Sequence, residues 1–250
     1  MHRFLAGLLL SLLLAGRVQA AEVIVFATNP FTPVFADLLP SYTAGSGNKV
    51  TIVRDTAGGL AKRILAGERF DLALVNQSAV ADLAARGRID PATQVPVARS
   101  GIGLAVPDGA PVPDVSTVEG FVGALLAARA VAYTDPAAGG SSGIYLAGLF
   151  QRLGIAEALR PKTVLVPGGL AAERLVTGEA TVALQQSAEL MAVKGAHFAG
   201  PIPANLQNYA VYTAVIAASA EQPDAARAVL ALLTGPEGTA ALARHGLDRP

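Results

Sequence analysis

Two serines, Ser141 and Ser142, follow a turn made almost wholly of small residues, Asp135-Pro136-Ala137-Ala138-Gly139-Gly140. Such a turn lets a ligand come close to the backbone. A helix opening at the serines leaves about four amide N–H groups without intrahelical partners, and that end prefers an anion. The chemistry on offer is hydrogen-bonded capture of a small anionic or polar ligand. Similar residues stand at other strand-to-helix turns: Thr28 with Asn29, Thr56 with Ala57 and Gly58, and Gln185 with Gln186. Helix N-capping, worth about 1 kcal/mol apiece, accounts for any one of them taken singly. As a converging set, neutral hydroxyl, amide and backbone donors suit a dehydrated oxyanion or carboxylate. Arg54 and Arg99 are the candidate counter-charges, Arg99 standing just before a predicted strand between two halves of the chain.

The residues of familiar hydrolytic and metal chemistry are not arranged for it. There is no cysteine, hence no disulfide frame, thiolate nucleophile or zinc knot. The three histidines, His2, His197 and His245, have no metal-binding spacing. The GGSSG run lacks the Gly-x-Ser-x-Gly pattern of a nucleophile elbow, because Ile144 stands two residues after Ser142, and no Gly-Lys-Ser/Thr occurs. The expectation is a binding protein with no catalysis, no cofactor and no metal. A secreted hydrolase or transferase acting on a small anionic substrate stands as the alternative. With 19 basic and 19 acidic residues the chain carries no basic footprint for nucleic acid.

The elements that must position these groups read clearly along most of the chain. The first twenty residues, MHRFLAGLLLSLLLAGRVQA, have a basic start, an apolar run and a Val18-Gln19-Ala20 end, the pattern of a secretory signal cleaved after Ala20. The run is too short to span a bilayer, so a periplasmic protein that is not membrane-embedded is expected. Glu22 to Ala27, Val50 to Val53, Phe70 to Val75, Gly101 to Val106, Val131 to Tyr133, Val164 to Val166, Thr181 to Leu184 and Tyr209 to Ala218 are eight predicted strands. Helical patterns alternate with them, including Thr117 to Arg129, Leu170 to Val176, Pro223 to Leu233 and Pro236 to His245, and Pro40 should kink or end the first helix. Polar turns at the carboxyl ends of strands are where open α/β sheets bind ligands. An internal echo adds a second layer. Gly58-Gly59-Leu60-Ala61, Gly67-Glu68, Leu74 and Gln77-Ser78-Ala79 return as Gly168-Gly169-Leu170-Ala171, Gly178-Glu179, Leu184 and Gln186-Ser187-Ala188. A spacing of this size points to two lobes of similar build facing one another across a cleft.

The strand VIVFAT, the turns TAGGLAKRILAGERFDLALV and DPAAGGSSG, the repeat GLAAERLVTGEATVAL and the ending LLTGPEGTAALARHGL together resemble the periplasmic molybdate-binding proteins of ABC importers. The resemblance covers essentially all of the chain after Ala20. It implies a type 2 periplasmic binding protein: two similar α/β lobes with mixed sheets, a hinge and a cleft, lobe one at residues 21–99 plus 205–250 and lobe two at 100–204. It further implies a monomer that binds a small anion between the lobes and docks on an ABC transporter permease. Two departures widen the ligand class beyond molybdate to small organic carboxylates. Thr28-Asn29-Pro30 stands where that family carries Ala-Ser-Leu, and Gln185-Gln186-Ser187-Ala188 where it carries a tyrosine followed by Ser/Thr-Asp.

Overall fold

The computed structural model describes residues 20–250, and the expected export signal lies outside them. Ten strands and ten α-helices are present among the described residues. The first sheet holds β1 (Glu22–Thr28), β2 (Lys49–Asp55), β3 (Leu72–Asn76), β4 (Val95–Ser100) and β10 (Ala210–Ile216), in the order β2-β1-β3-β10-β4. The second holds β5 (Ile102–Pro107), β6 (Val131–Thr134), β7 (Thr163–Val166), β8 (Val182–Gln186) and β9 (Ala196–Pro201), in the order β7-β6-β8-β5-β9. In each sheet three strands run parallel, and the fourth in spatial order is antiparallel to both its neighbours: β10 between β3 and β4, β5 between β8 and β9. The fold is thus two α/β lobes of like topology, each with one mixed sheet.

The helices are α1 (Thr32–Ser46), α2 (Ala57–Leu65), α3 (Gln77–Ala85), α4 (Val118–Ala127), α5 (Ser141–Arg152), α6 (Ala156–Leu159), α7 (Glu173–Val176), α8 (Ser187–Met191), α9 (Pro223–Thr234) and α10 (Pro236–Arg244). They cover both faces of each sheet, which is why the inner parallel strands are mainly apolar rather than alternating. Val23, Val25, Phe26 and Ala27 of β1 are all fully buried, Val25 packing toward α1 and α9, Phe26 toward α2 and α3. Buried Asp71 ties this lobe together. Its Oδ2 accepts from the Ile24 amide at 2.8 Å, and its Oδ1 accepts from the Glu221 and Gln222 amides at 2.9 and 3.0 Å, fixing the start of α9 on the sheet.

Three sequence expectations need correction. Helix α1 runs through Pro40 to Ser46, because Pro40 lies on the exposed face, where water serves the carbonyl that loses its intrahelical partner. The helix expected from Leu170 shrinks to the single turn α7. Strands β4 and β9 were not expected at all. Both are edge strands, β4 carrying Pro96 and β9 ending in Gly200-Pro201, a composition that only an edge tolerates.

The chain crosses between the sheets twice, at Ser100-Gly101 and along residues 202–209. Gln207 binds the crossings together: its Oε1 accepts from the Ile102 amide at 2.6 Å and its Nε2 donates to the Ile102 carbonyl at 2.9 Å. Among the described residues no helix is long and apolar enough to cross a membrane.

Candidate functional site

The carboxyl ends of β1, β2 and β3 face those of β6 and β8, and the turns leaving them enclose a cleft between the two sheets. From the first lobe come Thr28, Asn29 and Pro30 after β1, Asp55, Thr56 and Ala57 after β2, Asn76 at the end of β3, and Tyr212 on β10. From the second come Thr134, Gly140, Ser141 and Ser142 around the start of α5, Gly169, and Gln185, Gln186 and Glu189 around β8 and α8. The cavity between them measures about 30 Å³, room for about two or three water-sized groups. The lobes are therefore shut upon one another. Two hydrogen bonds hold the rim: the Gly58 amide donates to the Gly139 carbonyl at 3.2 Å, and Thr56 Oγ1 donates to the Ala138 carbonyl at 2.9 Å.

That closure explains the glycines of both turns. A Cβ on Gly58 would stand 2.9 Å from Gly139 Cα, and Gly139 itself takes the left-handed conformation at φ +76°. Gly143 packs just as closely on the Thr134 carbonyl, seating α5 on the end of β6. The small-residue turn thus serves closure and seating first, with approach to a ligand left to the amides at the start of α5, whose N-cap Gly140 brings no side chain to them.

Most of the expected site residues meet here. Thr28, Asn29, Thr56, Ala57, Ser141, Ser142, Gln185 and Gln186 all line the cleft, whereas Gly58, Arg54 and Arg99 do not. Arg54 opens onto a groove between α1 and β2, on the opposite side of its strand from Asp55. Arg99 lays its guanidinium 4.8 Å over the Tyr209 ring. Neither supplies a counter-charge, and no lysine or arginine lines the cleft at all. Several lining residues also have partners within the protein. Thr56 Oγ1 caps α2 by accepting from the Gly59 amide at 3.0 Å. The Gln185 carboxamide accepts from the Ala171 amide at 2.6 Å and donates to the Gly169 carbonyl at 3.2 Å. Gln186, with its nitrogen turned to the Ser100 and Gly101 carbonyls at 2.8 and 3.2 Å, presents its oxygen toward Ser141.

What the protein leaves unsatisfied is more informative. Thr28 Oγ1, Asn76 Oδ1 and Thr134 Oγ1 are buried without a hydrogen-bond partner, and all three residues line the cleft, two from one lobe and one from the other. A buried polar atom without a partner costs about 1–3 kcal/mol, so three gathered at one cavity mark a place meant for a ligand or water.

Five polar lining residues were absent from the sequence expectation: Asp55, Asn76, Thr134, Glu189 and Tyr212. Glu189 stands out, being only 8% exposed. Burial pushes its carboxyl up to about 8, although the Gln186 backbone and the Asn29 and Gln185 carboxamides act in the opposite sense. The Tyr212 phenol is likewise driven up, by its burial and by the nearby Glu189 charge. The internal echo holds a signal for Glu189: Gln77-Ser78-Ala79-Val80 returns as Gln186-Ser187-Ala188-Glu189. The carboxyl stands where the first lobe has the buried Val80. Among the described residues no cluster of acidic or histidine side chains could hold a metal ion.

Comparison with known proteins places this geometry in context. The model of a family described as bacterial extracellular solute-binding protein matches residues 23–248. A Pseudomonas protein named aconitate isomerase is 30% identical over 248 residues, spanning 97% of this chain and 93% of that one. Among solved structures, the periplasmic molybdate-binding protein of Azotobacter vinelandii superposes with a TM-score of 0.76 at 19% identity, over 92% of this chain and all of that one. PEB3 of Campylobacter jejuni with L-phospholactate bound gives a TM-score of 0.67 at 14% identity, over 91% of this chain and all of that one. These two share the fold. The Pseudomonas relative corrects the expectation of binding without catalysis, because a protein alike along the whole chain is named as an enzyme. The class of chemistry also differs from the hydrolase or transferase held as the alternative.

Proposed function

This chain belongs to the bacterial extracellular solute-binding proteins, a type 2 periplasmic binding protein by fold, and we propose that it has turned the family's ligand cleft into an isomerase site for a small unsaturated polycarboxylate of the aconitate class. The ligand is captured between the lobes, in the periplasm, by the donors at the strand ends.

Aconitate carries three carboxylates on a three-carbon chain with one double bond. Its isomers interconvert without redox change, hydration or cofactor when a hydrogen moves between the two outer carbons and the double bond shifts to the other side of the central one. Such a site must hold carboxylates, exclude water and carry a proton. The observation that bears the reading is the trio of unpartnered polar atoms, Thr28 Oγ1, Asn76 Oδ1 and Thr134 Oγ1, contributed by both lobes to one closed cleft. Threonine hydroxyls donate to carboxylate oxygens, and the amide ends of α2 and α5 add dipoles aimed the same way. The kinship with the Pseudomonas isomerase supports the choice of substrate. The cavity of about 30 Å³ is far below the roughly 300 Å³ at which ligand pockets begin, so the lobes part to admit the substrate and close to different separations around it.

The test is direct. The protein is mixed with cis-aconitate, and separately with trans-aconitate, and the vinyl and methylene protons are followed by NMR. Each isomer is expected to convert to the other until one equilibrium mixture is reached from both sides. No conversion of either isomer would end this reading.

One observation favours a second reading. A cavity this small suits a compact oxyanion better than a tricarboxylate, as would befit a molybdate-type receptor delivering its ligand to an ABC transporter permease. Calorimetric titration with molybdate, tungstate, sulfate and phosphate decides between them.

A further inference from the structure

Glu189 is set where the two lobes meet. It is the third residue of α8, in the second lobe, yet Asn29 and Tyr212, which face its carboxyl, belong to the first. It lines the cleft at 8% exposure. The other ionisable side chains of the lining are differently placed. Asp55 accepts from the Thr56 amide at 2.7 Å and lies 3.9 Å from the Arg63 guanidinium, an ion pair at the rim. Tyr212 is a phenol held protonated by burial. No histidine, lysine or arginine lines the cavity.

Resting on the isomerase reading, we propose that Glu189 is the catalytic residue that carries the proton: its carboxylate takes a proton from the methylene carbon of the bound unsaturated polycarboxylate and returns it to the former vinyl carbon. The methylene C–H bond breaks, and its electron pair becomes the new double bond to the central carbon. The electrons of the old double bond form the new C–H bond with the proton from Glu189. One proton leaves and one returns, so atoms and charge balance and no co-reactant is needed. Between the two events the negative charge spreads onto the substrate carboxylates, where the Thr28 and Thr134 hydroxyls can donate to it. A buried carboxylate is a stronger base than a solvated one, since loss of hydration disfavours its charge. A carboxyl brought to about 8 is also matched to proton transfer near neutral pH. The carboxamides of Asn29 and Gln185 lie beside it, one from each lobe, and favour its charged form, so its surroundings are complete only when the cleft is shut.

The experiment uses the full-length protein and its Glu189→Gln and Glu189→Asp variants. Turnover of aconitate is read by NMR, and binding of the saturated analogue propane-1,2,3-tricarboxylate, which has no allylic hydrogen, is read by calorimetry. Glu189→Gln, isosteric and without a basic oxygen, is expected to lose about 10²–10⁴-fold in turnover while binding the analogue within about threefold of the parent protein. Glu189→Asp is expected to recover part of the turnover, with the acid limb of its pH profile displaced. A Glu189→Gln variant that isomerises at the parental rate would overturn the assignment and leave the isomerase reading intact. Loss of analogue binding in that variant would also overturn it, by making Glu189 a binding group. A parent protein that binds the analogue yet converts neither aconitate isomer would sink the isomerase reading, and the assignment with it. Cooperative thermal unfolding of both variants, whatever its midpoint, guards against a folding artefact.

Discussion

The amide of Gly58 donates to the carbonyl of Gly139 across the mouth of the cleft, and the two residues approach so closely that neither has room for a side chain. The contact joins the start of α2 in one lobe to the turn before α5 in the other. Because both partners are backbone, the clasp is insensitive to charge and salt. It is sensitive only to bulk.

A Gly58→Ala substitution should therefore wedge the rim. Its Cβ would fall 2.9 Å from backbone atoms, which cannot swing aside as a side chain would. Small-angle scattering of the unliganded variant is expected to give a larger radius of gyration than the parent, and ligand affinity is expected to fall about tenfold. An unchanged radius and affinity would mean that the clasp is incidental.

The lone hydroxyls allow binding to be separated from folding. Thr134→Val keeps the shape of the side chain and removes an oxygen that no protein group uses. Stability in urea is expected to hold or to rise, by up to the roughly 1–3 kcal/mol that a buried unpartnered oxygen costs, while loss of one donor to a carboxylate weakens ligand binding by about 1–2 kcal/mol. Thr56→Ala should behave otherwise and lose both, since that hydroxyl caps α2 and also clasps the Ala138 carbonyl.

Proton linkage at Glu189 has a definite sign. The folded, closed form raises this carboxyl from 4.5 to about 8, so between those values the closed form binds more protons than the unfolded one. The stabilisation is fully present below about pH 4.5 and is lost as the pH rises through about 8. Melting temperature should fall over that window, and the unliganded protein should open, because parting the lobes rehydrates the carboxylate. Glu189→Gln should flatten both curves. Thermal melts and scattering between about pH 5 and about pH 9 provide the check.

Asp71 offers a contrast, being buried and hydrogen-bonded but remote from the cleft. Its three backbone partners would be left unsatisfied in Asp71→Ala, a loss expected to exceed about 3 kcal/mol in denaturant unfolding. Turnover per folded molecule should be unaffected.

The sequence made the architecture readable wherever a strand is buried on both faces. β1, β3, β5, β6 and β8 announce themselves by unbroken apolar runs, and the echo of Gly58-Gly59 in Gly168-Gly169 anticipates the two like lobes. Of the four edge strands β2 and β7 keep readable apolar cores, whereas β4 and β9 escape such a reading because Pro96 and Gly200-Pro201 break the pattern at little cost on an edge. The arginines misled for a geometric reason. Side chains alternate along a strand, so Asp55, adjacent to Arg54, faces the cleft and Arg54 faces away. The proposed catalytic group was hidden for a chemical reason: the proposed reaction, moving one proton within one substrate, asks for a single well-placed carboxyl, and one glutamate forms no motif. The sign of that group in the sequence is the exchange of Val80 for Glu189 within the repeat.

The order of strands in the first sheet bears on how this chain comes into being. The second sheet is drawn from one continuous run, residues 102–201, and can be completed as soon as that run is available. The first sheet waits for its last strand, since β10 must slide between β3 and β4 after the nine other strands have been made. Until then the Leu72–Val75 edge of β3 offers a row of bare backbone groups flanked by apolar side chains, the kind of edge on which chains aggregate. The carboxyl-terminal fifth of the chain, which carries β10, is what covers that edge.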